Sequence, residues 1–224
     1  MSAIYHRDFS QGLDGKYAKV MAHLTSKAKG SVLEIGCHTG YFSRVLLNNG
    51  FNVLGVERDE TAARQARDAG VSVIEGDISD PDTIAKISAQ FDVVLLMDVL
   101  EHLVDPCAVL QRLKPRLKAG GRVLITGPNV AYWAVRLKLL SGCWDYADTG
   151  ILDRTHLHFY TAATWKQLAE SAGYDVTSTE SAEAMVPLEH ILKRVNSVNF
   201  FRHVAAAAKP DLFTVVYLIE AVPS

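Results

Sequence analysis

The chain has 224 residues, 49% of them hydrophobic and 21% charged, which suits one globular domain with an ample core and leaves room for a modest insertion. A net charge of −2 gives no global pull toward nucleic acid or acidic membranes. Three cysteines, Cys37, Cys107 and Cys143, stand at irregular spacings without a C-x-x-C pair, which argues against a zinc site or a disulfide framework.

The opening "MSAIYHRDFSQGLDGKY" carries polar groups too early for a signal peptide, and no apolar run reaches the roughly 18 residues of a spanning helix. A cytoplasmic, reducing setting is the expectation. In chain order, "SVLEIG" (31–36) reads as a strand and "YFSRVLLNNG" (41–50) as a helix stopped by Gly50. "NVLGVE" (52–57) is a second strand, followed by a helix through "ETAARQARDAG" that ends at Gly70. "VSVIEG" (71–76) is a third strand, and Asp80-Pro81 opens a short helix. "FDVVLLM" (91–97) is almost continuously apolar, as a strand covered on both faces should be. Asp105-Pro106 starts the helix "PCAVLQRLKPRLKAGG", interrupted near Pro115, and "RVLIT" (122–126) is the fifth strand.

Beyond Asn129 the rhythm changes. A helix over 130–142 leads into the irregular "CWDYADTGILDRTHLHFYT", then a helix over 162–173 and a strand over 174–180. Residues 185–208 read as helix, and "DLFTVVYLIEAV" (211–222) closes the chain as a long strand. The alternation predicts an α/β, Rossmann-like, doubly wound fold: a mostly parallel seven-stranded sheet with an antiparallel edge strand. The whole chain, 1–224, reads as one domain, with a ligand-binding core at 30–129, a substrate-covering insertion at 130–160 and a helical crossover at 185–209.

In an open α/β sheet, ligands sit outside the carboxyl ends of the strands. The first strand is followed by Gly36 to Gly40, the second ends at Glu57, the third leads to Asp77, and the fourth to Asp98, Glu101 and His102. A glycine turn and several carboxylates therefore share one rim, which suits a ligand rich in hydroxyl and amino groups. A dinucleotide fingerprint, G-x-G-x-x-G/A, fails at two of its three positions: Gly36 fits, but His38 and Tyr41 would crowd a pyrophosphate.

These residues resemble the class I S-adenosylmethionine-dependent methyltransferases. "VLEIGCHTG" is similar to their first motif, E/D-x-G-x-G-x-G, with Glu34, Gly36 and Gly40 matching and His38 in place of the middle glycine. The resemblance continues through "GVERD", "EGDI", "FDVVLLMDVLEHLVDP" and "LKAGGRVLITGPN". It implies S-adenosyl-L-methionine as cofactor and S-adenosyl-L-homocysteine as product. Glu34, Gly36, His38, Gly40, Glu57, Arg58, Asp77, Ile78 and Asp98 are then the expected contacts. Within that set Glu57 would pair with the ribose hydroxyls, Asp77 with the adenine amino group, and the backbone near Ile78 with the ring edge. Asp98 would lie near the methionine end.

Methyl transfer to a neutral hydroxyl needs a base as well as in-line positioning. His102, His156 and His158 are the candidate catalytic residues. "DRTHLHFYT" resembles the "D-R-T-H-L-R-F-F-T" of a methyltransferase subgroup acting on quinone-type molecules and glycans, with His158 where Arg is common. Asp153 and Arg154 read rather as a polar brace for the loop, and His156 reads equally as part of that brace or as a group that orients or deprotonates an acceptor. Trp133, Trp144, Tyr132 and Tyr146 either line a planar acceptor site or simply pack an inserted helix.

The expected function is methylation of a small-molecule or carbohydrate-linked acceptor, on oxygen. The alternative is a non-catalytic S-adenosylmethionine-binding protein that regulates a partner. No metal and no nucleic acid are expected. A homodimer contact or a membrane-surface contact through 195–209 is open to this sequence.

Overall fold

The computed structural model describes residues 13, 15–26, 29–187, 202, 204–205 and 207–224. A first helix, α1 (Gly15–Thr25), precedes four strand–helix repeats and a fifth strand. These run β1 (Ser31–Ile35), α2 (Tyr41–Asn48), β2 (Asn52–Glu57), α3 (Glu60–Asp68), β3 (Ser72–Glu75), α4 (Pro81–Ala85), β4 (Phe91–Met97), α5 (Pro106–Leu113) and β5 (Leu117–Pro128). Then come α6 (Trp133–Leu140), α7 (Ala162–Ser171), β6 (Tyr174–Ala184), a one-turn helix at Pro210–Phe213 and β7 (Thr214–Pro223).

The sheet has seven strands in the order β3-β2-β1-β4-β5-β7-β6. The first five pair parallel, and β7 runs antiparallel to both β5 and β6. The reversal of strand order between β1 and β4 leaves a crevice at their carboxyl ends, the usual ligand position in this architecture. The α/β reading with a mostly parallel sheet holds, and the antiparallel member sits one place in from the β6 edge.

Strand periodicity distributes the core. In β4, Val94 and Leu96 join Leu33, Ile35, Val123 and Ile125 on the face covered by α5 and α7. Val93 and Leu95 point the other way, joining Val32, Phe42, Leu46 and Leu124 under α1 and α2. Burial on both faces explains the unbroken apolar run of "FDVVLLM". The helix starts follow the capping signals, with the Asp59, Asp80 and Asp105 carboxylates accepting from backbone N–H groups of the first turn.

Several boundaries differ from the sequence reading. The helix after Asp105 stops at Leu113, because Pro115 cannot continue its hydrogen-bond ladder, and the strand begins at Leu117 rather than at Arg122. Its pairing with β4 slips between Phe91 and Val93, which absorbs Lys118 to Gly121. The helix expected over 130–142 is confined to Trp133–Leu140. The strand from Tyr174 runs on to Ala184 because β7 offers it a long antiparallel partner. Asp211 to Phe213 form a helical turn, so the last strand starts at Thr214. Most of the expected crossover at 185–209 lies outside the described residues.

Candidate active site

The turn after β1 is built from backbone geometry. Gly36 has φ 71° and Gly40 φ 73°, left-handed conformations that favour glycine. A Cβ on Gly40 would stand 2.9 Å from Val71 Cγ2 and 3.1 Å from Ala66 Cβ, so the turn also packs too closely for a side chain there. Gly36 N–H donates to the Val56 carbonyl at 2.8 Å, tying the turn to β2. His38, at the middle glycine position of the motif, adopts φ 50°. Its backbone is held by Glu57, whose Oε2 accepts from His38 N–H at 2.8 Å while Oε1 accepts from Asp59 N–H at 2.8 Å.

Beneath the turn, Glu34 is buried and accepts a hydrogen bond from Ser43. Burial pushes its carboxyl up to about 7. At the head of β4, Asp98 is held at φ 53° with its N–H donating to the Thr126 carbonyl at 3.0 Å, and its Oδ1 accepts from Thr126 Oγ1 at 3.0 Å. Its other oxygen pairs with Lys16 from α1.

A cavity of about 630 Å³ runs along these carboxyl ends, within the roughly 300–1,000 Å³ typical of small-molecule sites. Gly36, His38, Glu57, Arg58, Asp77, Ile78 and Asp98 all line it. Glu34 and Gly40 do not; they support the turn from below and behind. Asp77 keeps one oxygen engaged by the Ser79 N–H at 2.8 Å. A neighbouring hollow of about 400 Å³ shares Arg58, Asp77 and His102 and continues toward Arg112 on α5.

The opposite wall comes from the loop 149–156. Thr149, Gly150, Ile151, Asp153, Thr155 and His156 face the cavity. The loop is stapled to the turn after β4, because Leu157 and His158 N–H groups donate to the Glu101 carbonyl at 2.8 and 3.2 Å. His102 and His156 meet edge-on, ring centroids 4.7 Å apart. His102 Nδ1 lies 3.2 Å from the Thr155 carbonyl and His156 Nδ1 3.0 Å from the Ile151 carbonyl. A carbonyl only accepts, and the Thr155 hydroxyl 3.1 Å from His102 Nδ1 gives its proton to Asp153 Oδ1, so each Nδ1 is assigned the proton and each Nε2 the lone pair. Burial lowers the pKa of both imidazoles, and for His102 the adjacent His156 adds to the effect.

His158 is set apart: its Nε2 faces the Val104 carbonyl at 3.4 Å and it does not line the cavity. Asp153 is the brace, its Oδ1 accepting from Thr155 N–H at 2.8 Å and Thr155 Oγ1 at 2.7 Å, while Arg154 turns outward to Asp148 at 2.6 Å. None of Tyr132, Trp133, Trp144 and Tyr146 lines the cavity. They belong instead to an aromatic cluster in which Trp144 packs edge-on against Phe159 at 5.1 Å.

Glu101 is the residue whose weight the sequence understated. It is wholly buried, it lines the cavity, and neither carboxyl oxygen has a hydrogen-bond partner. Burial pushes its carboxyl up to about 8. A Glu next to a His after an apolar strand was the available signal; the missing partners could only be seen in three dimensions. Glu101, His102 and His156 each offer one metal-ligating atom, all within 4.8 Å of one another.

Fold and site together define a class I methyltransferase of the S-adenosylmethionine-dependent kind. A family model described as "Methyltransferase domain" matches residues 7–179, and the chain belongs to that family. S-adenosylmethionine is the cofactor of the class.

A ubiquinone biosynthesis O-methyltransferase of Pseudomonas aeruginosa is 33% identical over 102 residues, 44% of each chain. Its namesake from Methylococcus capsulatus is 28% identical over 167 residues, 72% of this chain and 69% of that one. The chain spans about half the length of the curated relatives it matches. Among solved structures, a SAM-dependent methyltransferase from Archaeoglobus fulgidus superposes with TM-score 0.63 at 20% identity, covering 94% of this chain and 95% of the other. Magnesium protoporphyrin IX methyltransferase from Synechocystis, with bound SAH, gives TM-score 0.61 at 16% identity, covering 93% and 82%. Among the described residues no helix is long and apolar enough to cross a membrane.

Proposed function

We propose that the protein transfers the methyl group of S-adenosylmethionine to a hydroxyl oxygen of a small molecule or a carbohydrate-linked group. The observation that carries this reading is the position of the Glu101–His102–His156 cluster. It faces the same cavity as Asp98 and the glycine turn, so an acceptor there meets the methionine end of the cofactor.

In this reading Glu57 holds the ribose hydroxyls, Asp77 the adenine amino group, the backbone at Ile78 the ring edge, and Asp98 the methionine end. When bound, S-adenosylmethionine would supply an electrophilic methyl carbon, and this cavity would hold the acceptor oxygen in line with it, the C–S pair staying on sulfur. Positioning and exclusion of water supply much of the acceleration. With no cation bound there, the acceptor's proton would pass into this cluster, whose Nε2 atoms carry lone pairs. The relatives named as O-methyltransferases support oxygen as the site of transfer. Three cysteines, all free, suit a reducing cytoplasm.

The test is methyl transfer from labelled S-adenosylmethionine to a panel of phenols, catechols and sugars, with His156→Ala in parallel. The reading expects turnover with a hydroxyl acceptor, and a variant that loses turnover while holding the cofactor as tightly as the wild type. Cofactor binding without turnover on any hydroxyl, or loss of cofactor affinity in place of turnover, would count against it.

A further inference from the structure

Glu101 and His102 sit on the single turn Leu100–His102, and His156 comes from the loop that is hydrogen-bonded to that turn through the Glu101 carbonyl. Two segments far apart in sequence are thus fixed against each other, and each delivers lone pairs to one point. The Glu101 carboxyl is wholly buried with no hydrogen-bond partner. An unmet buried polar group costs about 1–3 kcal/mol, more for a charged one, so something positive or hydrogen-donating belongs there.

We propose that Glu101, His102 and His156 form a binding site for a divalent transition-metal cation. Two imidazoles and one carboxylate make a borderline-soft N₂O set, which suits zinc, manganese, iron or cobalt better than calcium or magnesium, whose sites are built from oxygen. Three protein ligands leave coordination positions open toward the cavity, the pattern of catalytic rather than structural metal sites.

The surroundings fit. Metal-bound histidines donate their second ring N–H to a carbonyl or carboxylate, and here His102 Nδ1 faces the Thr155 carbonyl and His156 Nδ1 the Ile151 carbonyl. Thr155 is itself tied to Asp153, which stiffens the His102 side. Ligand atoms around a four-coordinate zinc lie about 3.3 Å apart. The present spread, up to 4.8 Å, therefore has to contract by about 1.5 Å, within the reach of side-chain rotation.

The site itself stands apart from the methyl-transfer reading; only its use rests on that reading. A cation here binds the acceptor oxygen and makes its O–H bond acidic. The proton leaves to water, the oxygen pair forms the new bond to the methyl carbon, and the C–S pair stays on sulfur. The imidazoles then serve as ligands.

The experiment titrates chelator-treated, tag-free protein with Zn²⁺ by calorimetry and with Mn²⁺ by electron paramagnetic resonance, with and without S-adenosylhomocysteine. Glu101→Gln and His156→Asn are compared with His158→Asn, whose ring lies outside the cavity. The expected result is one cation per chain, bound at least tenfold more weakly by the first two variants and equally by the third. Magnesium in excess should not displace it.

Absence of stoichiometric binding, or binding unaffected by both ligand variants, overturns the site. Retained S-adenosylhomocysteine affinity in Glu101→Gln and His156→Asn shows that they fold. A wild type that binds the cation but no S-adenosylhomocysteine overturns the cofactor reading and leaves the metal site standing.

Discussion

The Glu57 carboxylate at the end of β2 accepts a hydrogen bond from the His38 backbone N–H at 2.8 Å, so one strand's last side chain fixes the turn that follows its neighbour. The same side chain lines the cavity, where a ribose would compete for or share its oxygens. Glu57→Ala should weaken S-adenosylmethionine binding by about 1–3 kcal/mol, the range for a buried polar partner left unmet. Calorimetric titration checks this, and an unchanged affinity would remove Glu57 from the ribose position.

His38 carries a second prediction. It holds φ 50° where glycine is the more usual occupant, a conformation His tolerates better than most side chains. His38→Gly should keep cofactor affinity within about threefold of wild type. His38→Val should cost about 1–3 kcal/mol of stability, because a β-branched residue is strained at positive φ. Equal melting temperatures for the two variants would show that the turn does not depend on this backbone angle.

Glu34 predicts a pH dependence. Its carboxyl is buried and pushed up to about 7 from an ordinary 4.5, so between those values the folded protein holds a proton that the unfolded chain has released. Its contribution to stability is therefore fully present below about pH 4.5 and lost as pH rises through about 7. Glu34→Gln should flatten that part of the stability profile, measured by urea unfolding at both ends of the window. An unaltered slope would place the pH dependence elsewhere.

Packing at the β5 end gives a stability test free of any cofactor. A Cβ on Gly127 would lie 2.0 Å from Trp165 Cζ2, and the Trp165 indole is anchored by its Nε1–H donating to the Pro128 carbonyl at 3.1 Å. Gly127→Ala should cost about 1–3 kcal/mol through overpacking. A thermal midpoint equal to that of the wild type would mean that the indole moves aside freely.

The strands and the rim were legible because their signals are local. "NVLGVE" and "FDVVLLM" run to the residues expected, 52–57 and 91–97, and in the second burial on both faces accounts for the nearly continuous apolar run. The capping pairs Asp80-Pro81 and Asp105-Pro106 marked helix starts correctly. The strand from Leu117 was hidden by "PRLKAGG", which lacks strand character by itself and is drawn into the sheet through pairing with Phe91. Trp144 illustrates the limit for side chains: its composition suits an acceptor wall, yet its ring packs against Phe159. His156 and Glu101 are 55 positions apart, and the Leu157 and His158 N–H groups on the Glu101 carbonyl, with the His102–Thr155 contact, bring their segments together.

The central claim is the identity of the cofactor, and calorimetric titration of ligand-stripped protein with S-adenosylmethionine, S-adenosylhomocysteine and NADH tests it most directly. The account predicts micromolar binding of the first two and none of the third, because His38 and Tyr41 crowd the path of a pyrophosphate. Tight NADH binding with silence from the other two, in folded protein, would contradict it.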